Sequence, residues 1–220
     1  SHETDAFTST ATDSVNDVDK VVEKSEQPPA VRVPLTGKYL IEASAGTGKT
    51  WTLTGIVLRL LIEAKRAPEH IIATTFTRAA AAEMRERIHA RLVDFYQVLQ
   101  WLNKLQADTH THSILYPQFN VIKTNNTNNS TKKAESKSTD NAKRDKNTNK
   151  VSPEQKQARL QWIEQQAKLA GTADLVTDPI NSHLIEYLLD HTEEYPLADA
   201  IRRCALVLTT LDKLFVGTLD

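Results

Sequence analysis

"IEASAGTGKT", residues 41–50, decides the fold. A loop that holds phosphate must aim several backbone N–H groups into one concavity, so it needs residues that turn tightly without a clashing side chain. Gly46 and Gly48 supply that turn, and Ala43 stands at the strand exit, where a small residue suffices unless φ must be positive. Lys49 and Thr50 then open the helix that follows. In such a loop the lysine reaches the β and γ oxygens of a nucleotide and the threonine hydroxyl coordinates Mg²⁺. Ala43, Ser44, Ala45, Gly46, Thr47, Gly48, Lys49 and Thr50 are therefore the expected nucleotide-binding residues, with ATP and Mg²⁺ as ligands.

The flanks fit that reading. "KYLIE" (38–42) reads as a short apolar strand, and "TWTLTGIVLRLLIEAK" (50–65) as a helix with Ile56, Leu60 and Glu63 to Ala64 at turn spacing. "HIIATTF" (70–76) is a second, β-branched strand. The helix after it begins at Arg78, with Met84, Ile88, Leu92 and Phe95 recurring at helical spacing. Strand, loop, helix, strand, helix predicts an α/β fold: a parallel sheet of the P-loop type with helices packed on it. Farther on, Ser152-Pro153-Glu154-Gln155 is a capping box with proline at the first helical position, and Gly171 is its expected stop. Helices are expected near 180–191 and 197–211, and "LFVGTL" (214–219) as a third strand.

Two stretches do not fit a core. Residues 1 to about 30 are rich in Asp, Glu, Ser and Thr and read as a disordered acidic tail. Residues 123–150 contain no side chain more apolar than alanine and are net basic, the centre of a low-complexity insertion over 118–151. This insertion reads as a solvated loop or as a basic strap near DNA. The expected division is thus 1–30 tail, 31–100 nucleotide-binding start, 101–213 helical elaboration carrying the insertion, and 214–220 a strand returning to the core.

Over the 220 residues the formal net charge is −1, so the chain has no overall basic footprint and any DNA contact must be local. The single cysteine, Cys204, excludes an internal disulfide framework and suits a reducing compartment as a half-buried helical thiol. No apolar run approaches the about 18 residues needed to cross a bilayer, and the acidic, polar start does not read as a signal peptide. The one methionine, Met84, is internal, so a processed chain or a piece of a longer one is expected.

"ATTFTRAAAAEMRERI", residues 73–88, narrows the function. Thr77 is a natural N-cap, and an alanine-lined helix start lets another chain approach closely. Amides and hydroxyls there suit a phosphodiester, while Phe76 either packs under the sheet or stacks on a base. Together, Ala43–Thr50 and Thr75–Ile88 resemble motifs I and Ia of superfamily 1 DNA helicases of the UvrD type. The segment "VPLTGKYLIEASAGTGKTWTL" is closer still to the beta-subunit family of RecBCD helicase-nucleases, exodeoxyribonuclease V (RecB-like). "VGTLD" (216–220) resembles the start of motif Ib, with Asp220 where histidine is commoner.

The resemblance implies a RecA-like sheet and ATP-driven 3′ to 5′ translocation on DNA. It also implies unwinding and exonucleolytic resection of double-strand ends in recombinational repair, in a bacterial cytoplasm with RecC-like and RecD-like subunits. By the same carry-over Lys49 is the catalytic phosphate contact, Thr50 the Mg²⁺ ligand, and Thr75, Phe76, Thr77 and Thr218 face single-stranded DNA. The family's Asp-Glu motif II and a nuclease carboxylate cluster are not found in this sequence, and Glu193 and Glu194 read as a solvated helix end. A front portion of the motor, inactive alone, is the expectation. An AddA-like or plain UvrD-like helicase, a P-loop phosphotransferase and a non-catalytic nucleotide- or DNA-binding module are the alternatives.

Overall fold

A computed structural model of the chain describes residues 27–42, 48–120 and 150–218. The fold is mixed α/β and mostly helical, around a small parallel sheet. The first helix, α1 (Pro29–Arg32), is a single turn, followed by α2 (Lys49–Ile62), strand β1 (Ile72–Thr75) and the long α3 (Arg78–Leu105). Then come α4 (Thr109–Leu115), α5 (Pro153–Ala170), α6 (Ala173–Thr177), α7 (Pro179–Asp190), α8 (Leu197–Thr210) and strand β2 (Phe215–Thr218).

β1 and β2 pair in parallel with Ile72 opposite Phe215 and Thr75 opposite Thr218. Parallel neighbours require a crossover connection, and here the crossover is the whole helical assembly from α3 to α8. On α3 the buried residues Ala81, Met84, Ile88, Leu92, Phe95, Val98, Leu99 and Leu102 fall at steps of three and four, as one face of a helix demands. That face meets Leu197, Ala200, Cys204 and Val207 of α8 and the buried side of α2. Each such large side chain contributes about 1.5–3 kcal/mol of burial, so α3 is the organising rod. It runs unbroken through residues 100 and 101, so the nucleotide-binding part and the helical elaboration share one helix.

Most of the expected elements are present, with differences. The stretch 38–42 is not a strand: its residues are irregular, with Leu40 75% exposed. A strand exists only where a neighbour takes its N–H and C=O groups, and among the described residues β1 and β2 pair only with each other. On α2 the buried face is Thr54, Gly55, Val57, Leu58, Arg59, Leu61 and Ile62; Ile56 and Leu60 pack only partly against the core. The helix ends at Ile62, ahead of the expected 65, because Lys65 takes a left-handed φ of 53°.

The capping box at Ser152 is formed in both directions, and α5 ends at Gly171 with φ 73°. Pro29 and Ala30, expected in the tail, already belong to α1, and Ala30 is fully buried. At the insertion's edge, Gln118 lies in a 3-10 turn, Pro117–Phe119, and donates to the Leu189 carbonyl. The remainder of both low-complexity expectations, residues 1–26 and 121–149, lies outside the described residues, as do Ala43–Thr47, Leu219 and Asp220. Cys204 is wholly rather than half buried, and burial pushes its thiol up to about 12. Glu193 and Glu194 are exposed beyond the end of α7.

Candidate functional site

Gly48 is the N-cap of α2 with φ 82° and ψ 24°, a left-handed conformation that any other L-residue adopts only with strain. Its carbonyl accepts the Thr52 amide at 2.8 Å, so the helix starts directly at Lys49. Helix geometry leaves the amides of the first turn without intrahelical partners, next to the positive end of the helix dipole. Lys49 is exposed there and Thr50 half-buried. A left-handed glycine, a helix start, an ammonium group and a hydroxyl oxygen fit phosphate oxygens and a hard, oxygen-seeking divalent cation. Of the eight expected loop residues, Gly48, Lys49 and Thr50 are described. Ala43, Ser44, Ala45, Gly46 and Thr47 lie outside.

What holds this helix start was not evident from local sequence. The Trp51 indole N–H donates to Asp178 Oδ2 at 3.1 Å, and Arg91 Nη2 on α3 donates to Asp178 Oδ1 at 2.9 Å. Asp178 Oδ1 also accepts the amides of Ile180 and Asn181, capping α7. The Arg91 guanidinium stands 5.1 Å from the centre of the Trp51 ring, a cation-π distance. Burial lowers the Arg91 pKa, and the Asp178 charge opposes that shift. Gly55 lets the helices close: a Cβ there would lie 2.9 Å from Ile180 Cγ1. The Asp178-Pro179 pair is a helix-start signal, but nothing local tells that its carboxylate reaches a tryptophan 127 residues away.

A second clamp fixes the lead-in to the loop. Arg59, buried on α2, donates from Nη1 to the carbonyls of Ala30 (3.0 Å) and Val33 (2.7 Å) and makes a two-pronged pair with Glu63. His183 Nε2 lies 2.9 Å from Glu63 Oε2. Burial raises the Glu63 pKa, but the hydrogen bonds from His183 and Arg59 and their charges outweigh it and hold the carboxyl down at about 2.

The expected DNA-facing residues converge at the carboxyl end of the sheet. Thr75 and Thr218 are register partners there, and Phe76, next in the chain, is 97% exposed, so its ring does not pack under the sheet. The Thr75 hydroxyl donates to the Thr77 carbonyl at 2.9 Å, and Thr77 Oγ1 accepts the Ala80 amide at 3.1 Å, the N-cap expected for α3. Ala79, Ala80 and Ala82 are exposed, leaving that helix start open to a close approach. Arg85 donates to the Val216 carbonyl, locking α3 to β2. Among the described residues no His, Cys, Asp and Glu group of metal-binding size occurs, and no helix is long and apolar enough to cross a membrane.

The sequence model of the UvrD/REP helicase N-terminal domain matches residues 23–211. Among curated proteins, the RecBCD enzyme subunit RecB of Chlamydia pneumoniae is 40% identical over 92 residues, 41% of this chain and 8% of that protein. RecB of Escherichia coli K12 is 47% identical over 70 residues, 28% of this chain and 6% of that protein. RecB of Haemophilus influenzae is 39% identical over 88 residues, 37% of this chain and 7% of that protein. The chain thus spans less than a tenth of the length of these relatives. No solved structure matches.

Proposed function

The chain belongs to the UvrD/REP helicase N-terminal domain family, and from that premise we propose that it forms the nucleotide-binding front of a RecB-like, ATP-dependent 3′ to 5′ DNA helicase subunit. The observation that carries the reading is the pairing of two openings in one packed unit. One is the left-handed Gly48 turn with Lys49 and Thr50 at the start of α2. The other is the carboxyl edge of the sheet at the start of α3, with Phe76 and Thr77 exposed and Thr75 and Thr218 half-buried beside them, and α3 packs on α2.

In this reading Lys49 contacts the β and γ phosphates, Thr50 supplies an oxygen to Mg²⁺, and the loop 43–48 presents its amides to the phosphate oxygens. A Mg²⁺ held by Thr50 would help to neutralise phosphate charge. Phe76 stacks on a base, a contact worth about 1–3 kcal/mol, while Thr75, Thr77 and Thr218 position the phosphodiester backbone. Hydrolysis also needs carboxylates and arginines, which sequence beyond the matched stretch would supply. The subunit would work on double-strand ends in a bacterial cytoplasm, with RecC-like and RecD-like partners and an exonuclease activity in the complete protein, in repair by homologous recombination.

The test is ATP turnover by the complete subunit with and without oligo(dT), for wild type and Lys49→Ala. Expected is DNA-stimulated turnover that the substitution abolishes while the thermal midpoint stays in place, because Lys49 is exposed. Turnover unchanged by Lys49→Ala would refute the site.

A further inference from the structure

Trp51 stands two residues after Lys49, and Arg91 lies on the same rigid helix as the DNA-facing start at Thr77. One carboxylate, Asp178, bonds both: Trp51 Nε1 at 3.1 Å, and Arg91 Nη2 at 2.9 Å to Oδ1 and 3.2 Å to Oδ2. The group is sheltered, with side-chain exposures of 13% for Arg91 and 22% for Asp178, so water screens these contacts only in part. Asp178 cannot follow one helix alone, because its Oδ1 is also bound to the amides of Ile180 and Asn181 at the start of α7. Gly55 also brings α2 close against α7, where a Cβ would lie 2.9 Å from Ile180 Cγ1.

We propose that Asp178 is a positioning residue that couples the nucleotide site to the DNA site. It fixes the first turn of α2, and so Lys49 and Thr50, against the α3 rod that carries Thr75, Phe76 and Thr77. The proposal rests on the functional reading above. A movement of the α2 start on nucleotide binding then either breaks the Trp51–Asp178–Arg91 bonds or carries α3 with it. Arg91 sits 13 residues along α3 from Arg78, about 20 Å at 1.5 Å per residue, so a small tilt at Arg91 becomes a larger displacement at the DNA-facing end. Arg91 Nε is buried without a partner among the described residues, so Asp178 holds this guanidinium through its other edge. Asp178→Asn keeps one acceptor oxygen, enough for the α7 amides, replaces the oxygen that accepts the Trp51 indole by an NH2 donor, and removes the charge that holds Arg91. Trp51→Phe keeps an aromatic face and removes the N–H donor together with the fused pyrrole ring.

The experiment measures linkage in the complete subunit. The dissociation constant of Mg²⁺-ATPγS is determined with and without saturating oligo(dT), for wild type, Asp178→Asn, Trp51→Phe and a remote core variant, Ile163→Val. The wild-type ratio of the two constants is expected to depart from one by about fivefold or more, the usual scale of coupling between sites. In Asp178→Asn and Trp51→Phe the ratio should fall towards one while each ligand alone still binds within a few-fold of wild type. Ile163→Val should lower the thermal midpoint and keep the ratio, separating positioning from loss of stability. A wild-type ratio retained in both site variants, or a wild-type ratio of one with both ligands bound, overturns the coupling and leaves the functional reading standing. Wild type that binds neither ligand overturns both.

Discussion

Replacing Glu63 by glutamine tests the clamp that ties the lead-in segment to α2, and its energetics can be worked from the site. The Glu63 carboxyl is held at about 2 against an ordinary 4.5, with its side chain 16% exposed. That difference of about 2.5 units, at 1.36 kcal/mol each, corresponds to roughly 3 kcal/mol of stability. The sign follows from the direction of the shift. A depressed carboxylate contributes fully above its unfolded-state value and loses that contribution as pH falls towards its folded-state value, so the window runs from about pH 4.5 down to pH 2. At pH 3 about 2 of the roughly 3 kcal/mol should already be gone.

The assay is urea unfolding of wild type and Glu63→Gln at pH 7, 5, 4 and 3, followed by circular dichroism. Glutamine does not titrate, and it leaves the buried Arg59 without a counter-charge at every pH, a constant penalty. Other carboxylates, such as Asp190, titrate alike in both proteins and cancel in the difference. The expected result is a wild-type advantage that narrows by about 2 kcal/mol between pH 5 and pH 3. A gap that stays constant to within about 0.5 kcal/mol across the whole range would refute the account, because the carboxylate would then not be held down by Arg59 and His183.

Two further outcomes are expected. Phe76→Ala should leave the urea midpoint unchanged, since the ring is 97% exposed. It should weaken oligo(dT) binding in an anisotropy titration by about 1–3 kcal/mol, or five- to 150-fold. At position 65, where φ is 53° and the ammonium lies 3.9 Å from the centre of the Tyr195 ring, glycine should be more stable than alanine by about 1 kcal/mol in thermal unfolding. Alanine should fall below wild type by about 0.5–1 kcal/mol through the lost cation-π contact.

How much of this was legible follows the range of each interaction. The α3 core face could be read from Met84, Ile88, Leu92 and Phe95 because helical spacing is local, and the Ser152 cap because both of its partners lie within three residues. The lead-in 38–42 was misread because an apolar run has the composition of a strand whether or not a neighbour is there to pair with it. At the carboxyl edge of the sheet the sequence named Thr75 and Thr218, but not that the register sets them side by side.

The arginines were the least legible residues. By composition they count as surface charge, yet Arg59 and Arg159 are almost wholly buried, and Arg203 reaches the carbonyls of Leu61 and Arg66 near the end of α2. Each guanidinium carries several donors in a fixed fork, so one side chain can tie together chain segments far apart in sequence. Arg59 joins α1 to α2, Arg159 joins the Leu115 carbonyl to Asp190, and Arg91 joins α3 to α7. These charges are committed to the fold and are not available to attract a phosphate backbone. In the reading proposed above, the edge at the start of α3 would instead work with hydroxyls, the first amides of α3, the exposed ring of Phe76 and the exposed Arg78 beside it.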